Sequence, residues 1–330
     1  MENPTISTHF LVFLDDLINE RGATSGPLLR ASNLPPDLLR SAPRWVDQTR
    51  YIDFFDRIVR ELQWPAAPFD LAARQSIGFL GAIYPLLPRG GTVGGWLASF
   101  NRLIQLQVTG LTLTLERFGK QGILRAHFSL PEVQRNANYQ AHAVALAVNL
   151  IKWLVEPGWQ PRAVYFSCAE EARAALFSQR LKAPVAFGAE DCSVRFDIAV
   201  LDQPVNAEVD RVPDQLRGLL QQSGTSGIVG KVRYVIQNQL ATGQCSASTV
   251  AGVLGYPRRT LQRHLAFAGT SFQLLLDDVR REFAANLLRV PGLRMIDIAL
   301  LLGFADQAVF SRTFRRWMGV APRQWRQQQG

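Results

Sequence analysis

The chain has 330 residues, of which 47% are hydrophobic and 19% charged, so it is a globular protein of about two domains and not a disordered or fibrous one. No apolar run reaches the roughly 18 residues of a membrane span, and no secretory signal opens the chain, so we expect a cytoplasmic protein without membrane contact. The net charge of +9 lies entirely in the last third: residues 1–227 hold 22 basic and 22 acidic side chains, whereas residues 228–330 hold 14 and 5. A basic segment beside a neutral domain is typical of a polyanion-binding module, with a merely basic surface as the alternative.

The first part of the chain has helical periodicity in several segments. Residues 9–18 and 45–62 place apolar side chains on one helical face, and Thr92 is positioned to cap a helix that follows it. Residues 132–155 are long and apolar, and they predict one further helix.

The periodicity changes to alternation at Leu111. Leucines alternate with threonines over residues 111–116, a glycine-rich turn follows at 119–122, and an extended segment continues over 123–130, which together predict a β-hairpin. Residues 163–167 and 194–198 predict further strands. We therefore expect an α+β domain in which helices accompany a small antiparallel sheet.

This N-terminal part carries no catalytic motif. Its histidines, His9, His127 and His142, are isolated, and the chain has no HExxH, no nucleophile elbow and no CxxC pair, so we expect no enzyme, no metal site and no cofactor. One set of aromatic side chains can line an apolar pocket, with ordinary core packing as the alternative: Tyr84, Phe100, Tyr139, Trp153 and Phe166.

A break in pattern separates the neutral and basic parts. Residues 221–227, QQSGTSG, are small and polar without a hydrophobic period, and they predict a short flexible linker.

One motif occurs twice in the basic part. The segment VAGVLGY at 250–256 recurs 48 residues later as IALLLGF at 298–304, each time with apolar residues on one helical face and a glycine where the helix must stop. The residues after the glycines match at a spacing of 49, so the second turn is one residue longer. Each copy predicts a helix, a tight turn and a second helix, the layout of a helix-turn-helix whose second helix enters a major groove.

A linking helix is predicted between the two copies, from Phe272 to about Leu288. Its apolar stripe consists of Leu276, Val279, Phe283 and Leu287. At about 1.5 Å per residue it spans roughly 26 Å, so it can hold two helices at successive major grooves, about 34 Å apart.

The helix starts differ in their capping residues. Asp306 is placed to cap the second recognition helix and Ser271 the linking helix, whereas Pro257 and Arg294 stand where capping side chains are expected.

The second copy, with FSRTFRRWMG at 310–319 and PRQWR at 322–326, resembles the C-terminal signature of AraC/XylS-type transcription regulators. The resemblance covers about residues 228–326 and includes the first helix-turn-helix and the linking helix. The turns at 157–161 and 184–190 are similar to those of the arabinose-binding-like N-terminal domain of one AraC subgroup, over about residues 25–215. The resemblance implies a sensor or oligomerisation role for that domain without fixing its ligand.

Base readout needs long donors near the start of each recognition helix, and the resemblance implies the same positions. We predict the base-reading residues Arg259, Gln262, Arg263, Gln307, Ala308, Val309 and Arg312, with the two apolar members facing thymine methyl groups. We predict phosphate contacts from Arg258, Arg315, Arg316, Arg323 and Arg326. For any single arginine, a solvated surface charge is the alternative.

The sequence therefore predicts an α+β effector-sensing or oligomerisation domain at 1–220, a linker at 221–227, and an all-α double helix-turn-helix domain at 228–330. The predicted function is a sequence-specific transcription regulator that binds double-stranded promoter or operator DNA; activation is the expected mode, and repression is the alternative. RNA polymerase, an unknown small-molecule effector and a second copy of the chain are the other expected partners. The alternative is a constitutive DNA-binding regulator whose N-terminal domain only dimerises or contacts polymerase, and an enzyme with a basic appendage ranks third.

Overall fold

The computed structural model describes residues 4–40, 44–75, 80, 83–84, 87–88, 90–105, 107–206, 228–240, 245–289 and 293–329. Apart from two short segments of the N-terminal part, the chain divides into two compact units, before and after residue 216. The predicted linker at 221–227 lies outside the described residues, so the domain boundaries stay a prediction.

The first unit mixes helices and strands. Its strands are β1 (Thr5–Ser7), β2 (Trp45–Asp47), β3 (Leu111–Phe118), β4 (Gln121–Phe128), β5 (Ala163–Tyr165), β6 (Val185–Ala186) and β7 (Cys192–Asp197). Its α-helices are α1 (Leu14–Glu20), α2 (Ser25–Ala31), α3 (Gln48–Glu61), α4 (Ala67–Gln75), α5 (Val93–Ile104), α6 (Pro131–Arg135), α7 (Ala137–Leu154) and α8 (Ala174–Leu181).

Two segments that were each predicted as one helix are divided by a side chain that caps the helix following it. Residues 45–62 begin as strand β2 and not as a helix. Asp47 keeps an extended backbone, and its Oδ1 accepts a hydrogen bond from the backbone N–H of Thr49 at 2.9 Å. This cap starts α3 at Gln48. Residues 132–155 divide at Asn136, whose side chain accepts from the backbone N–H of Tyr139 at 2.7 Å and starts α7. The prediction for 9–18 was also wrong in detail, because a 3-10 turn at Thr8–Leu11 precedes α1.

The predicted hairpin is confirmed with a tighter turn. Strands β3 and β4 pair through Phe118 opposite Gln121, so only Gly119 and Lys120 connect them, and Gly119 has a φ of 55°. Thr92 caps α5 as predicted, since its Oγ1 accepts from the backbone N–H of Gly95 at 3.2 Å.

The sheet is mixed, which corrects the expectation of an antiparallel one. Its strand order is β3-β4-β7-β5-β6, and the edge strand β6 pairs parallel with β5 through Val164 opposite Val185. A parallel neighbour needs a long crossover, and the chain between these strands supplies one that contains α8.

One face of this sheet forms the core of the first unit. The buried side chains of Leu113, Leu124 and Val194 lie on that face and pack towards α5 and α7. Gly122 is required there, because a Cβ at this position would overlap the ring of Phe196 on the next strand.

In its described part the second unit is helical. Its helices are α9 (Ile228–Gln239), α10 (Ala247–Val253), α11 (Arg258–Phe267), α12 (Phe272–Arg289), α13 (Met295–Leu301), α14 (Gln307–Met318) and α15 (Pro322–Gln329). The predicted stripe of the linking helix, now α12, is confirmed at Leu276, Val279 and Leu287, which are buried, whereas Phe283 is half-buried.

Among the helices that the structure describes, none combines the length and the apolarity required to cross a membrane.

Candidate nucleic-acid interface

The turn between α10 and α11 is built from two backbone hydrogen bonds. The N–H of Tyr256 donates to the carbonyl of Ala251 at 2.9 Å, and the N–H of Gly255 donates to Gly252 at 3.2 Å. This pair of bonds ends a helix in the Schellman motif, which requires a left-handed residue, and Gly255 has a φ of 74°. The following helix α11 buries Leu261 and Leu265.

The turn between α13 and α14 repeats this geometry. The N–H of Phe304 donates to Ala299 at 2.9 Å, the N–H of Gly303 donates to Leu300 at 2.9 Å, and Gly303 has a φ of 66°. Helix α14 begins four residues after its glycine, whereas α11 begins three residues after Gly255, so the predicted extra residue is present. The two helix pairs thus share one turn design.

The helix starts carry the predicted caps. The Oδ1 of Asp306 accepts from the backbone N–H of Val309 at 2.8 Å, and the Oγ of Ser271 accepts from Leu274 at 3.3 Å. Pro257 and Arg294 stand at helix starts without a side-chain cap, as expected. Helix α10 begins with a capping box that the sequence analysis missed, formed by Ser246 and Thr249.

The linking helix α12 is fixed to the second helix pair by Arg280. The Nε of this half-buried side chain donates to the carbonyl of Leu302 at 2.9 Å, and its Nη2 donates to Gly303 at 2.8 Å. The guanidinium also lies 4.4 Å from the ring centre of Phe304. Burial lowers the pKa of Arg280, and the charge of Asp277 opposes this shift. Arg280 therefore clamps the turn that sets the direction of α14.

A second arginine fixes α12 to α9. The Nη2 of Arg233 lies 2.6 Å from a carboxylate oxygen of Glu282, and only 12% of the Arg233 side chain is exposed. A hydrogen-bonded pair this sheltered from water is screened less by salt than a surface pair. Helix α12 is thus tied to its neighbours at two positions.

The predicted base-reading residues lie on the outer sides of α11 and α14. In α11 the side chains of Arg259, Gln262 and Arg263 are exposed. In α14 Ala308 and Arg312 are exposed, whereas two of the predicted residues are half-buried: Gln307 and Val309.

The predicted phosphate-binding residues divide into two groups. Arg258, Arg315 and Arg323 are exposed, and Arg316 is also exposed although its Nη2 lies 3.7 Å from a carboxylate oxygen of Asp277.

Arg326 is placed differently. It is half-buried, and its Nε and Nη2 donate to the carbonyls of Leu288 at 3.0 Å and Leu293 at 2.7 Å. These bonds favour a structural role for Arg326, because two of its three guanidinium nitrogens already bond to protein.

The two outer helices carry positive charge only. Helices α11 and α14 each contain three arginines and no acidic residue. The carboxylates of Asp278, Glu282 and Asp297 are held by arginines elsewhere in the unit. The arrangement presents cationic side chains that are free of acidic neighbours on their own helix, which suits a polyanion.

Sequence reasoning missed the clamps made by Arg280 and Arg326. The available signal was position: Arg280 is four residues after Leu276 and next to Val279, so it borders the buried stripe, where a charged side chain must find hydrogen bonds. Which carbonyls it would contact depends on the packing of helices and not on the local pattern.

Comparisons with known proteins agree with this architecture. A model of the arabinose-binding domain of AraC transcription regulators, N-terminal, matches residues 22–205, and a helix-turn-helix domain model matches residues 250–328. The HTH-type transcriptional regulator VirS of Mycobacterium tuberculosis H37Rv is 28% identical over 316 residues, which cover 94% of this chain and 93% of VirS.

Shorter matches fall on two further regulators. The ornithine utilization regulator of Pseudomonas aeruginosa is 46% identical over 69 residues, which cover 21% of this chain and 20% of that protein. The urease operon transcriptional activator of Escherichia coli is 38% identical over 79 residues, which cover 24% of this chain and 27% of that protein.

The N-terminal model alone spans more than half of the chain, and the helix-turn-helix model matches residues 250–328, which include most of both helix pairs. The chain therefore belongs to the AraC family of DNA-binding transcription regulators.

Proposed function

We propose that α11 and α14 are the recognition helices of two helix-turn-helix motifs, and that each occupies one of two successive major grooves. The observation that carries this proposal is the repeated design: two helix pairs with the same glycine turn each present an outer helix with three arginines and no acid. An α-helix fits the width of the major groove, where each base pair offers a distinct pattern of donors and acceptors.

The linking helix supplies the spacing. Its 18 residues correspond to about 27 Å at 1.5 Å per residue. The clamps at Glu282, which pairs with Arg233 of α9, and at Arg280 join α12 to neighbouring helices near its middle. A spacer fixed in this way suits two recognition helices that read grooves about 34 Å apart on one side of the duplex.

The side chains divide between two tasks. Arg259, Gln262 and Arg263 on α11 read base edges in one groove. On α14 the readers are Gln307 and Arg312 with the apolar Ala308 and Val309. Long donors form bidentate bonds to guanine or adenine, and small apolar side chains contact the thymine methyl group. The phosphate contacts come from Arg258, Arg315, Arg316 and Arg323, and we place Arg326 within the protein framework instead.

Sequence-specific binding by the full-length protein tests this proposal. Genome-wide footprinting of the bound protein identifies candidate operators, and competition titration then compares an operator with a random duplex at physiological salt. We expect the two to differ by about 4 kcal/mol or more. Equal affinity of a folded protein for both duplexes would refute sequence-specific recognition.

We further propose that the N-terminal domain controls DNA binding in response to a small molecule. The small molecule would act through the geometry of a dimer or through the placement of the second unit. In this proposal the protein activates transcription together with RNA polymerase. Support comes from the neutral charge of residues 1–227 and from the matched sensor-domain model. A ligand shifts such an equilibrium only through different affinities for two arrangements, and a hundredfold difference corresponds to about 2.7 kcal/mol.

Reciprocity provides the test of effector control. Operator DNA must change the affinity for the effector by the same factor by which the effector changes the affinity for DNA. A flexible insertion within 221–227 should remove this coupling and leave both binding events intact. Regulation that survives the insertion would favour the alternative, a constitutive regulator whose N-terminal domain only dimerises or contacts polymerase.

A further inference from the structure

The first unit contains a cavity of about 80 Å³ between its five-stranded sheet and the helices that cover it. Leu113, Leu124 and Val194 form the sheet side of the wall. Helices α3, α5 and α7 form the opposite side, and Ile6 of β1 completes it. The cavity thus joins elements from both ends of the unit's sequence.

Three alanines create this space. Ala143 and Ala147 lie one turn apart on α7, and Ala126 lies on β4. All three are half-buried, whereas the neighbouring residues 144–146 and 148 on α7 are buried. Their methyl groups therefore retain accessible surface where a larger side chain would fill the gap between helix and sheet.

The wall is almost entirely apolar. No Asp, Glu, Lys or Arg lies among the lining residues that the structure describes, and the side-chain polar groups include the hydroxyls of Tyr51 and Tyr139 and the imidazole of His142. The Tyr139 hydroxyl accepts a hydrogen bond from the Nε2 of Gln48 at 2.8 Å.

The imidazole of His142 is neutral, and its tautomer follows from Gln75. The Nε2 of Gln75 donates to the carbonyl of Phe10 at 2.9 Å, so its Oε1 accepts from the Nε2 of His142 at 2.9 Å. Burial lowers the pKa of His142 to about 3, which leaves Nδ1 unprotonated at neutral pH. The wall therefore offers a hydrogen-bond acceptor at His142 and hydroxyl groups at the tyrosines, without a formal charge.

Only part of the aromatic set expected at a pocket takes part. Phe100 and Tyr139 line the cavity. Phe166 instead packs 5.1 Å from Phe177, and Trp153 packs 5.9 Å from Trp96, both measured between ring centres. The cavity is consequently smaller than a pocket lined by the whole set.

We propose that this cavity binds a neutral, mostly apolar molecule of about five to eight non-hydrogen atoms that carries one hydrogen-bonding group. At roughly 10–15 Å³ for each water-sized group, the volume accommodates about five to eight such groups. Ligand binding by the cavity would specify the proposed effector control further. Only the effect of binding on DNA affinity rests on that proposed function.

The wall selects against sugars and ions. A pentose carries several hydroxyl groups, and each would lose its hydrogen bonds to water against side chains such as Leu113, Leu124 and Leu150. A charged ligand would find no opposite charge on the described wall. The ligand class thus differs from the sugar in the name of the family model.

Phenol is a suitable probe, because it is neutral and has one hydroxyl group. Thermal unfolding of the full-length protein is measured with increasing phenol and, separately, with L-arabinose. Ala143→Leu and Ala147→Leu fill the cavity with an apolar side chain, and Ala175→Leu makes the same change at an exposed position of α8. We expect a saturable stabilisation by phenol in the natural protein and in Ala175→Leu, its loss in both cavity variants, and no effect of L-arabinose.

A phenol-soaked crystal provides a readout that does not depend on the variants. Phenol in contact with Ala143 and Ala147 supports the inference even if the leucine variants fold poorly. No stabilisation by phenol together with an empty cavity in the crystal would overturn it, as would equal binding by well-folded cavity variants.

The affinity for operator DNA, measured with and without phenol, distinguishes the proposed ligand class of the cavity from the proposed effector control. Phenol that occupies the cavity without changing operator affinity would uphold the ligand class and count against effector control. A failure of phenol to bind would leave the proposed DNA recognition by α11 and α14 unaffected.

Discussion

The two helix pairs of the second unit share a turn and differ in how their helices begin. In both, a glycine with positive φ and two backbone bonds end the first helix. In the first pair, α10 has a capping box and α11 starts at the uncapped Pro257. In the second pair the order is reversed, because α13 starts at the uncapped Arg294 and α14 is capped by Asp306.

The second pair also has more contacts around its turn. Arg280 bonds to the carbonyls of Leu302 and Gly303, and a Cβ on Gly303 would approach the carbonyl oxygen of Leu240 to 2.9 Å. Gly255 of the first pair is exposed. One sequence motif thus specifies the turn, while its surroundings determine how firmly each proposed recognition helix is held.

Substitution of the two glycines should give the largest difference between the pairs. Gly255→Ala adds the strain of a left-handed alanine, about 1–2 kcal/mol. Gly303→Ala adds a backbone clash to that strain, so we expect a loss of about 2–5 kcal/mol. Hydrogen exchange of the amides in α11 and α14 measures the local free energy of opening. Equal losses at both glycines would contradict the tighter environment of the second turn.

Substitution of one arginine in each proposed recognition helix should distinguish the base contacts made by α11 from those made by α14. Arg263→Ala and Arg312→Ala should each lose roughly 1–3 kcal/mol on the operator, because each removes a proposed donor to a base edge. Titrations on operators with single base changes should reveal relaxed preference at a different position for each variant. A uniform loss on all sequences would assign these side chains to the phosphates instead.

Removal of the cap from α14 and addition of a cap to α11 should change helix stability by smaller amounts and in opposite directions. Asp306→Ala should destabilise the start of α14 by about 1 kcal/mol, since the N–H of Val309 loses its acceptor. Pro257→Ser adds a capping hydroxyl at the start of α11 and should stabilise it by a similar amount. Amide exchange in the first turn of each helix measures both changes, and no protection gained at α11 would refute the capping argument there.

Loss of a single phosphate contact should be the mildest change. Arg316→Ala should weaken binding to all duplexes alike and reduce the slope of log affinity against log salt by about one. Arg326→Ala is the contrasting variant: its bonds to Leu288 and Leu293 predict lower stability of the second unit with little change in that slope. A reduced slope for Arg326→Ala together with an unchanged slope for Arg316→Ala would mean that Arg326 contacts DNA.

Much of the second unit could be predicted from the sequence because its signals are local. The glycine stops, the cap at Asp306 and the apolar stripe of α12 each depend on residues within one or two turns, and the structure confirms them. The half-buried state of Gln307 and the structural bonds of Arg326 could not be predicted, because they depend on which helices pack together.

In the first unit the errors arose where a polar side chain interrupts an apolar pattern. Asp47 and Asn136 begin helices within segments that read as continuous. The parallel pairing of β6 depends on a partner distant in sequence. The cavity depends on the packing of three alanines from a helix and a strand against one another, and the local hydrophobic periodicity does not predict such a contact.

We propose that one chain reads two successive major grooves with α11 and α14. Methylation protection of guanine N7 on the operator tests it directly, because this atom faces the major groove. We expect two protected patches on one side of the duplex, about 10 base pairs apart centre to centre. A single protected patch under saturating full-length protein would contradict it.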